Sequence, residues 1–364
     1  MHDDLTEALE RRLADVPAPG VAIALIADGA VIWRGAHGTA RPTSGTPVDD
    51  RTAFLWFSMT KIVTATAVMQ LVEGGALGLD SPAREQLIDL ESLDPRITVR
   101  QLLNHSSGIP NPPPLRWIHR ADEPGPEPRE LVSTLLAKYG KPKFEPGDHS
   151  AYTNVGFLVL GELIAEVSGQ PYKDYVVRRV LEPIGARSTG FSFDRAGLAH
   201  AAEGTHPRFD PFFPLARLLI PSWVIGPPAG RWRTFNPFYL DGAAYGGLVG
   251  PVSDAALLAA AHLGGGAVGG RRILSEESTA EMQRIATPGK KFDLGLGWFR
   301  PHRDSERGAS YVEHLGGGAA YGTVMRLYPQ RGLGVVAMAN VSSNRFKHDA
   351  LLEPLSAPNR PAAG

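Results

Sequence analysis

At 364 residues, with 37 Lys+Arg against 38 Asp+Glu and a formal net charge of -1, the chain lacks the basic excess that a nucleic-acid partner requires. A 43% hydrophobic share with 21% charged residues supplies one large core or two intimately packed subdomains. Cysteine is absent, which excludes disulfides, thiolate metal sites and a cysteine nucleophile, and the 11 histidines show no H-E-x-x-H or similar spacing, so no metal or cofactor is expected.

The first residues, Met1 to Leu13, have an amphipathic helical pattern with acidic residues early, unlike the basic start and apolar block of a secretory signal, and the expectation is a cytoplasmic protein. No apolar run reaches spanning length, and no membrane partner is expected. Val21 to Ile26 and Val31 to Ala36 are β-prone runs joined through Asp28-Gly29, a hairpin signal. Ile62 to Gly75 reads as a helix stopped by Gly74-Gly75, with further helices at Val99 to Asn104 and Glu130 to Tyr139. The proline-rich stretch from Pro110 to Pro128 is expected to be irregular. Asn154 to Ser168 has helical periodicity closed by Gly169, and Tyr172 to Leu181 continues as helix. Residues 206 to 241, rich in proline and aromatics (Phe209, Phe212, Phe213, Trp223, Trp232, Phe235, Phe238, Tyr239), read as a packed surface excursion or lid. Helices follow at Ser253 to Leu263 and Ser275 to Ile285. Three strands, Tyr311 to Leu315, Gly322 to Tyr328 and Leu333 to Asn340, precede a last helix near Asn344 to Leu355. Strands at both chain ends with helices between them predict an α/β (α+β) fold, with one antiparallel sheet built from both termini. The expected division is a single domain over 1–364, with 1–57 and 245–364 forming the sheet region and 58–244 a mostly helical subdomain.

Three clusters carry chemistry. Ser58-Met59-Thr60-Lys61 opens the first long apolar helix, and residues three apart share a face, so the Lys61 amine can approach the Ser58 hydroxyl. Serine needs such a base, and an amine serves only if burial or a nearby cation lowers its pKa. The bland alternative is a capping serine and a solvated lysine. Tyr152-Thr153-Asn154 lies on a loop before a helix; a phenol near ammonium groups can be driven toward phenolate and shuttle protons, and the Asn154 amide can orient the lysine or a substrate carbonyl. Read alone, it is as easily a loop tyrosine with a helix-capping asparagine. His314-Leu315-Gly316-Gly317-Gly318 ends a strand, and consecutive glycines there mark close approach of a ligand or another backbone. His314 is then a proton donor or electrostatic group and Gly317 an oxyanion donor, or the segment is a tight turn with a satisfied histidine.

In this order, S-x-x-K, Y-x-N and H-x-G resemble the serine β-lactamase and penicillin-binding-protein superfamily, in particular its branch of class C β-lactamases, family VIII carboxylesterases, D-aminopeptidases and acyltransferases. The resemblance covers nearly the whole chain, including Ile97 to Gly108, Phe144 to Tyr172, Gly246-Gly247-Leu248 and Leu294 to Trp298. It implies a β-lactamase/transpeptidase-like fold. Ser58 would be acylated, Lys61 would be base or relay, Tyr152 would assist and protonate the leaving group, and Asn154 would position Lys61 and substrate. The Ser58 and Gly317 amides would form an oxyanion hole, whose donors contribute about 3 kcal/mol each. Leu315 and Gly316 would meet the substrate, and His105 is read as structural. Where lactamases carry Lys-Thr, this chain has His314-Leu315, which removes a fixed charge and a hydroxyl and argues against efficient β-lactam hydrolysis. The expected activity is ester hydrolysis through acyl-Ser58 on small or medium acyl groups. Acyl transfer or peptide cyclisation, D-aminopeptidase activity and a non-catalytic penicillin-binding-like sensor are the alternatives. The partner is a small acyl ester, thioester or peptide; the sequence does not define the oligomeric state.

Overall fold

The computed structural model describes residues 2–356 except 115, 196, 212, 214–216 and 219, so Phe212 of the aromatic excursion lies outside the described residues. Strands Gly20–Ala27 and Ala30–Arg41 pair through Asp28 and Gly29, whose φ angles of 48° and 74° are those of a two-residue hairpin turn. The hairpin joins the C-terminal strands by pairing Gly20–Ala27 with Leu333–Ala339, as Val21 opposite Ala339 and Ala27 opposite Leu333. Leu333–Ala339 pairs with Gly322–Tyr328, which pairs with Val312–Gly317, every pairing antiparallel. Both chain ends therefore build one sheet.

That sheet has eight strands, because Phe292–Leu294 and Phe299–Pro301 extend it beside Val312–Gly317 and Thr46–Pro47 closes the far edge. The two added strands have three residues each, too short to show a period of two in sequence. Alternation along Gly20–Ala27 sends Ala22, Ala24 and Ile26 to one apolar cluster and Val21, Ile23 and Leu25 to another. Helix Val252–Leu263 packs on the first face, and the terminal helices His2–Leu13 and His348–Ser356 cover the second. This two-sided cover explains why Gly20–Ala27, Gly322–Tyr328 and Leu333–Ala339 are buried along their whole lengths.

The helix Thr60–Glu73 sits deeper than any surface helix. Every residue from Thr60 to Met69 is buried, and helices Asn154–Ser168 and Ala243–Gly246 pack against it. A helix apolar all round belongs in a core, and here it fixes the start of the helix within the molecule. Gly75, at φ 70°, ends the chain's helical course as the Gly74-Gly75 signal implies.

Two expectations need correction. Residues 206 to 241 contain regular structure: Thr205–Pro207, Trp232–Phe235 and Ile225–Ala229 form a three-stranded sheet in that spatial order. Pro227 and Pro228 are tolerated because their strand is an edge, where a missing N–H leaves no ladder bond unmade. Within the proline-rich 110–128 stretch, Ile118–Arg120 is a strand that pairs with Phe238–Leu240 and ties this region to the excursion.

Candidate active site

The approach to Ser58 is strained. Phe57 has φ 48°, in the left-handed region that non-glycine residues avoid, and its neighbours hold it there. The Trp56 N–H donates to the Leu248 carbonyl at 2.9 Å, and the Trp56 carbonyl accepts from Thr323 Oγ1 at 3.0 Å. A Cβ on Gly316 would lie 2.0 Å from that carbonyl, so the glycine of H-x-G is required by the close approach of the serine segment. The kink turns the chain into the turn Phe57–Met59 and then the buried helix.

One turn on, Lys61 is 0% exposed, while Ser58 keeps partial access to solvent. Lys61 Nζ lies 2.9 Å from Asn154 Oδ1, 2.8 Å from the Tyr245 carbonyl and 3.1 Å from Ser58 Oγ. Burial holds its pKa well below 10.5, and no carboxylate offsets that cost. A neutral amine has two N–H groups and one lone pair. Asn154 Oδ1 and the Tyr245 carbonyl can only accept, so they take both N–H groups and leave the lone pair for the Ser58 hydroxyl proton. These neighbours build a base from a lysine.

Tyr152 reaches Ser58 from another side. Its hydroxyl hydrogen-bonds Ser58, and its ring centroid is 4.9 Å from Lys61 Nζ. Burial pushes the Tyr152 pKa up, with the Ser58 hydrogen bond opposing only in part. Tyr152 is therefore a phenol in the free protein, against the expectation of a phenolate, because burial disfavours the anion more than the Ser58 hydrogen bond favours it. Thr153, in extended conformation, is the cap of helix Asn154–Ser168, which leaves the Asn154 side chain free to hold Lys61. Asn111 Oδ1 accepts the Asn154 N–H at 3.0 Å.

His105 organises this loop. It adopts φ 57°, its Nδ1 accepts the Thr153 N–H at 3.2 Å, its carbonyl accepts the Ala151 N–H at 2.8 Å, and its ring packs 4.4 Å from that of Tyr152. Burial depresses its pKa first, Lys61 second, so it is a neutral clamp.

His314 enters from the strand Val312–Gly317, its ring 6.3 Å from Tyr152 and edge-on to Phe299 at 4.8 Å. Burial, then Lys61, lowers its pKa to about 3. The Leu315 carbonyl, 2.8 Å from Nδ1, can only accept, so Nδ1 carries the hydrogen and Nε2 presents a lone pair. In the free protein His314 is thus a neutral acceptor at Nε2, which departs from the expected donor or cation. Leu315 also departs from expectation. Side chains alternate along a strand, and Leu315 packs in the cluster under the terminal helices, on the opposite face from His314. Its carbonyl rather than its side chain serves the site. Gly317 is the exposed last residue of the strand, opposite Gly322 of the neighbouring strand.

Four residues escaped sequence reasoning. The Tyr245 carbonyl holds Lys61, and its phenol oxygen is buried without a partner. Trp117 lies edge-on to Tyr245 at 6.0 Å, and the Asp241 N–H donates to the Trp117 carbonyl at 2.8 Å. His119 Nδ1 lies 2.7 Å from Asp241 Oδ1, and this half-buried carboxylate is near enough to raise the Tyr245 pKa, after burial. A backbone carbonyl has no side-chain signature; only the adjoining Gly246-Gly247-Leu248 stretch stood out in sequence. Among the described residues, no group of three or more His, Asp or Glu is placed to hold a metal ion.

Comparison with known proteins finds similar chains. Penicillin-binding protein 4 of Amycolatopsis lactamdurans is 28% identical, covering 88% of this chain and 79% of its own. The D-aminopeptidase of Brucella anthropi is 30% identical over 52% of this chain, and esterase EstB of Burkholderia gladioli is 30% identical over 50%. Those two alignments span only 37% and 48% of the relatives' own lengths. Among solved structures, the octameric penicillin-binding protein homologue from Pyrococcus abyssi superposes with TM-score 0.74 at 25% identity, covering 97% of this chain and 77% of that one. Residues 5–355 match the family described as Beta-lactamase. The chain belongs to the Beta-lactamase family, with the mixed α/β fold of the β-lactamases and transpeptidases.

Proposed function

We propose that this serine hydrolase of the β-lactamase and penicillin-binding-protein superfamily is a carboxylesterase working through acyl-Ser58. The observation that carries the reading is the buried Lys61 amine, whose two N–H groups are taken by Asn154 and Tyr245 and whose lone pair faces Ser58 Oγ at 3.1 Å. Ser58 Oγ attacks the acyl carbonyl and its proton passes to Lys61. The Ser58 and Gly317 amides take the oxyanion. As the C–O bond breaks, the Tyr152 phenol protonates the departing alkoxide and is reprotonated from Lys61. Water then adds to acyl-Ser58, giving its proton to Lys61, and as the bond from the acyl carbon to Ser58 Oγ breaks that proton returns to Oγ, releasing the acid. A neutral His314 offers no fixed charge to a substrate carboxylate, which favours uncharged acyl groups over β-lactams and peptide termini.

Fluorophosphonate labelling followed by peptide mass spectrometry is expected to place the adduct on Ser58, with turnover of short-chain p-nitrophenyl esters lost in Ser58→Ala. An adduct elsewhere, or turnover unchanged in Ser58→Ala, overturns the reading. A second reading, cleavage of aminoacyl esters or amides, is favoured by Asp241, a half-buried carboxylate beside Tyr245 that suits a substrate ammonium. It expects Asp241→Asn to raise KM for aminoacyl p-nitroanilides while leaving acetate esters unchanged. Product analysis with an added amine acceptor separates hydrolysis from acyl transfer.

A further inference from the structure

The proposed chemistry leaves one buried histidine of the excursion unused. His206 lies on strand Thr205–Pro207, is 9% exposed, and stacks on Phe213 with ring centroids 5.0 Å apart. Its Nδ1 lies 2.9 Å from Ser342 Oγ and its Nε2 3.1 Å from Asp210 Oδ2. A carboxylate can only accept, so Nε2 carries a hydrogen. Burial outweighs the Asp210 charge and holds the His206 pKa below 6.5, so near pH 7 the ring is neutral and Nδ1 accepts from the Ser342 hydroxyl. Arg345 Nη2 donates to Asp210, and the Arg345 N–H donates to the Ser342 carbonyl at 2.8 Å, which closes a ring of four residues. Serine, histidine and aspartate in a chain are also the makings of a hydrolytic nucleophile, but Ser342 is 3% exposed and meets no substrate.

The ring joins the excursion to the far end of the H-x-G strand. The Ser342 N–H donates to the Thr205 carbonyl at 3.0 Å, and the Thr205 N–H to the Ala320 carbonyl at 3.1 Å. The next residue, Ser343, donates its N–H to the Gly318 carbonyl at 3.1 Å, and its Cβ and Oγ stand 2.7 Å from where a Cβ on Gly317 would lie. The ring of Phe57, the residue before Ser58, closes on Gly318 to 2.5 Å from a Cβ placed there. Gly317 and Gly318 have no side chains with which to hold their own course, so what packs on them sets it. An oxyanion donor acts only when it is held close to the position the charge will take.

On the acyl-Ser58 reading, in which the Gly317 amide takes the oxyanion, we infer that His206, Ser342, Asp210 and Arg345 are positioning residues: the ring fixes Ser343, and Ser343 fixes Gly317 and Gly318. None of the four touches Ser58, Lys61 or Tyr152 in this arrangement, so their effect passes through the backbone of the strand end. A purely architectural ring would lower stability and leave the rate of the folded protein alone. A positioning ring weakens the transition state more than the bound substrate, so kcat falls while KM holds.

The test compares three variants of the full chain. His206→Phe keeps an aromatic ring beside Phe213 and removes both hydrogen bonds, His206→Asn leaves an acceptor near the Nδ1 position, and Ser342→Ala removes one hydroxyl, which keeps the test open if His206→Phe does not fold. Turnover of p-nitrophenyl butyrate is measured well below each melting temperature and normalised to Ser58 labelled by fluorophosphonate. In His206→Phe and Ser342→Ala, kcat is expected to fall about tenfold with KM within about twofold. Affinity for an alkyl trifluoromethyl ketone, which adds Ser58 Oγ and places its oxygen in the oxyanion position, should fall by the same factor. His206→Asn should recover most of both losses. Unchanged kcat and ketone affinity in the folded variants, or a loss carried by KM alone, overturns the positioning role. An adduct away from Ser58 in the unaltered protein overturns the acyl-Ser58 reading itself, and so separates the two failures.

Discussion

Two buried cations show how surroundings decide a side chain's role. Lys61 is 0% exposed and Arg326 is 3% exposed. Arg326 donates from Nε and Nη2 to Glu313 Oε2 at 2.8 and 2.7 Å and reaches Asp349 Oδ1 at 2.8 Å. Burial is the largest single effect and opposes its charge, but Glu313, the neighbouring tyrosines and the Asp349 hydrogen bond together outweigh it and the guanidinium stays ionised. Lys61 donates only to neutral oxygens, so the same burial acts unopposed and favours the neutral amine. Glu313 and His314 are adjacent on one strand, so the two environments stand back to back across the sheet. Paired with carboxylates, a buried cation ties the sheet to a terminal helix. Paired with an amide and a carbonyl, it becomes a base.

The largest test of this contrast removes the groups the base serves. Ser58→Ala is expected to lower kcat for p-nitrophenyl butyrate about ten-thousandfold, and Lys61→Met about a thousandfold, with melting temperature held or raised in the latter. Retained kcat in Lys61→Met would assign the base elsewhere. Because Lys61 must be unprotonated to act and burial lowers its pKa, kcat/KM should fall as pH drops through a limb far below 10.5. Asn154→Asp gives Lys61 a carboxylate and makes it resemble Arg326. An opposite charge favours the protonated amine, so the acid limb should move up by about one to two pH units. Activity on the acid side should then fall and be regained in alkali; an unmoved limb would separate the pH profile from Lys61.

How much of this was legible in sequence depends on what each feature is made of. The two-terminus sheet was readable because Val21 to Ile26 and Leu333 to Asn340 are long apolar runs bounded by turn residues. The three-residue strands at Phe292–Leu294 and Phe299–Pro301 were not, since their order comes from pairing rather than local preference. At the site, Ser58, Lys61, Tyr152 and Asn154 stood out by type and spacing, and the structure brings them together. The Leu315 side chain went to the wrong face because motif letters do not state strand alternation. The tautomer of His314 and the grip of the Tyr245 carbonyl depend on backbone atoms that every residue has.

Smaller effects probe the structural member of the pair. Glu313→Gln strands a buried guanidinium without its main partner, and about 3 kcal/mol of stability is expected to go, read as a lower melting temperature. Arg326→Met with Glu313→Gln should recover much of that loss, while kcat/KM of the folded protein stays unchanged in both. A fall in kcat/KM would mean that the ion pair sets the position of His314 through its strand.

The smallest expected effect is at Tyr245. Its phenol oxygen is buried with no hydrogen-bond partner, and burial keeps it protonated. A polar group already desolvated and unpaired contributes nothing that phenylalanine lacks, so Tyr245→Phe should leave stability within about 0.5 kcal/mol of the parent or slightly above it. The carbonyl that holds Lys61 belongs to the backbone and survives the change. Ester kcat should therefore persist with the same acid limb. A shifted limb in Tyr245→Phe would mean that the phenol, and not only the carbonyl, helps keep Lys61 neutral, and the contrast with Arg326 would then rest on ring packing as well as on the absence of a carboxylate.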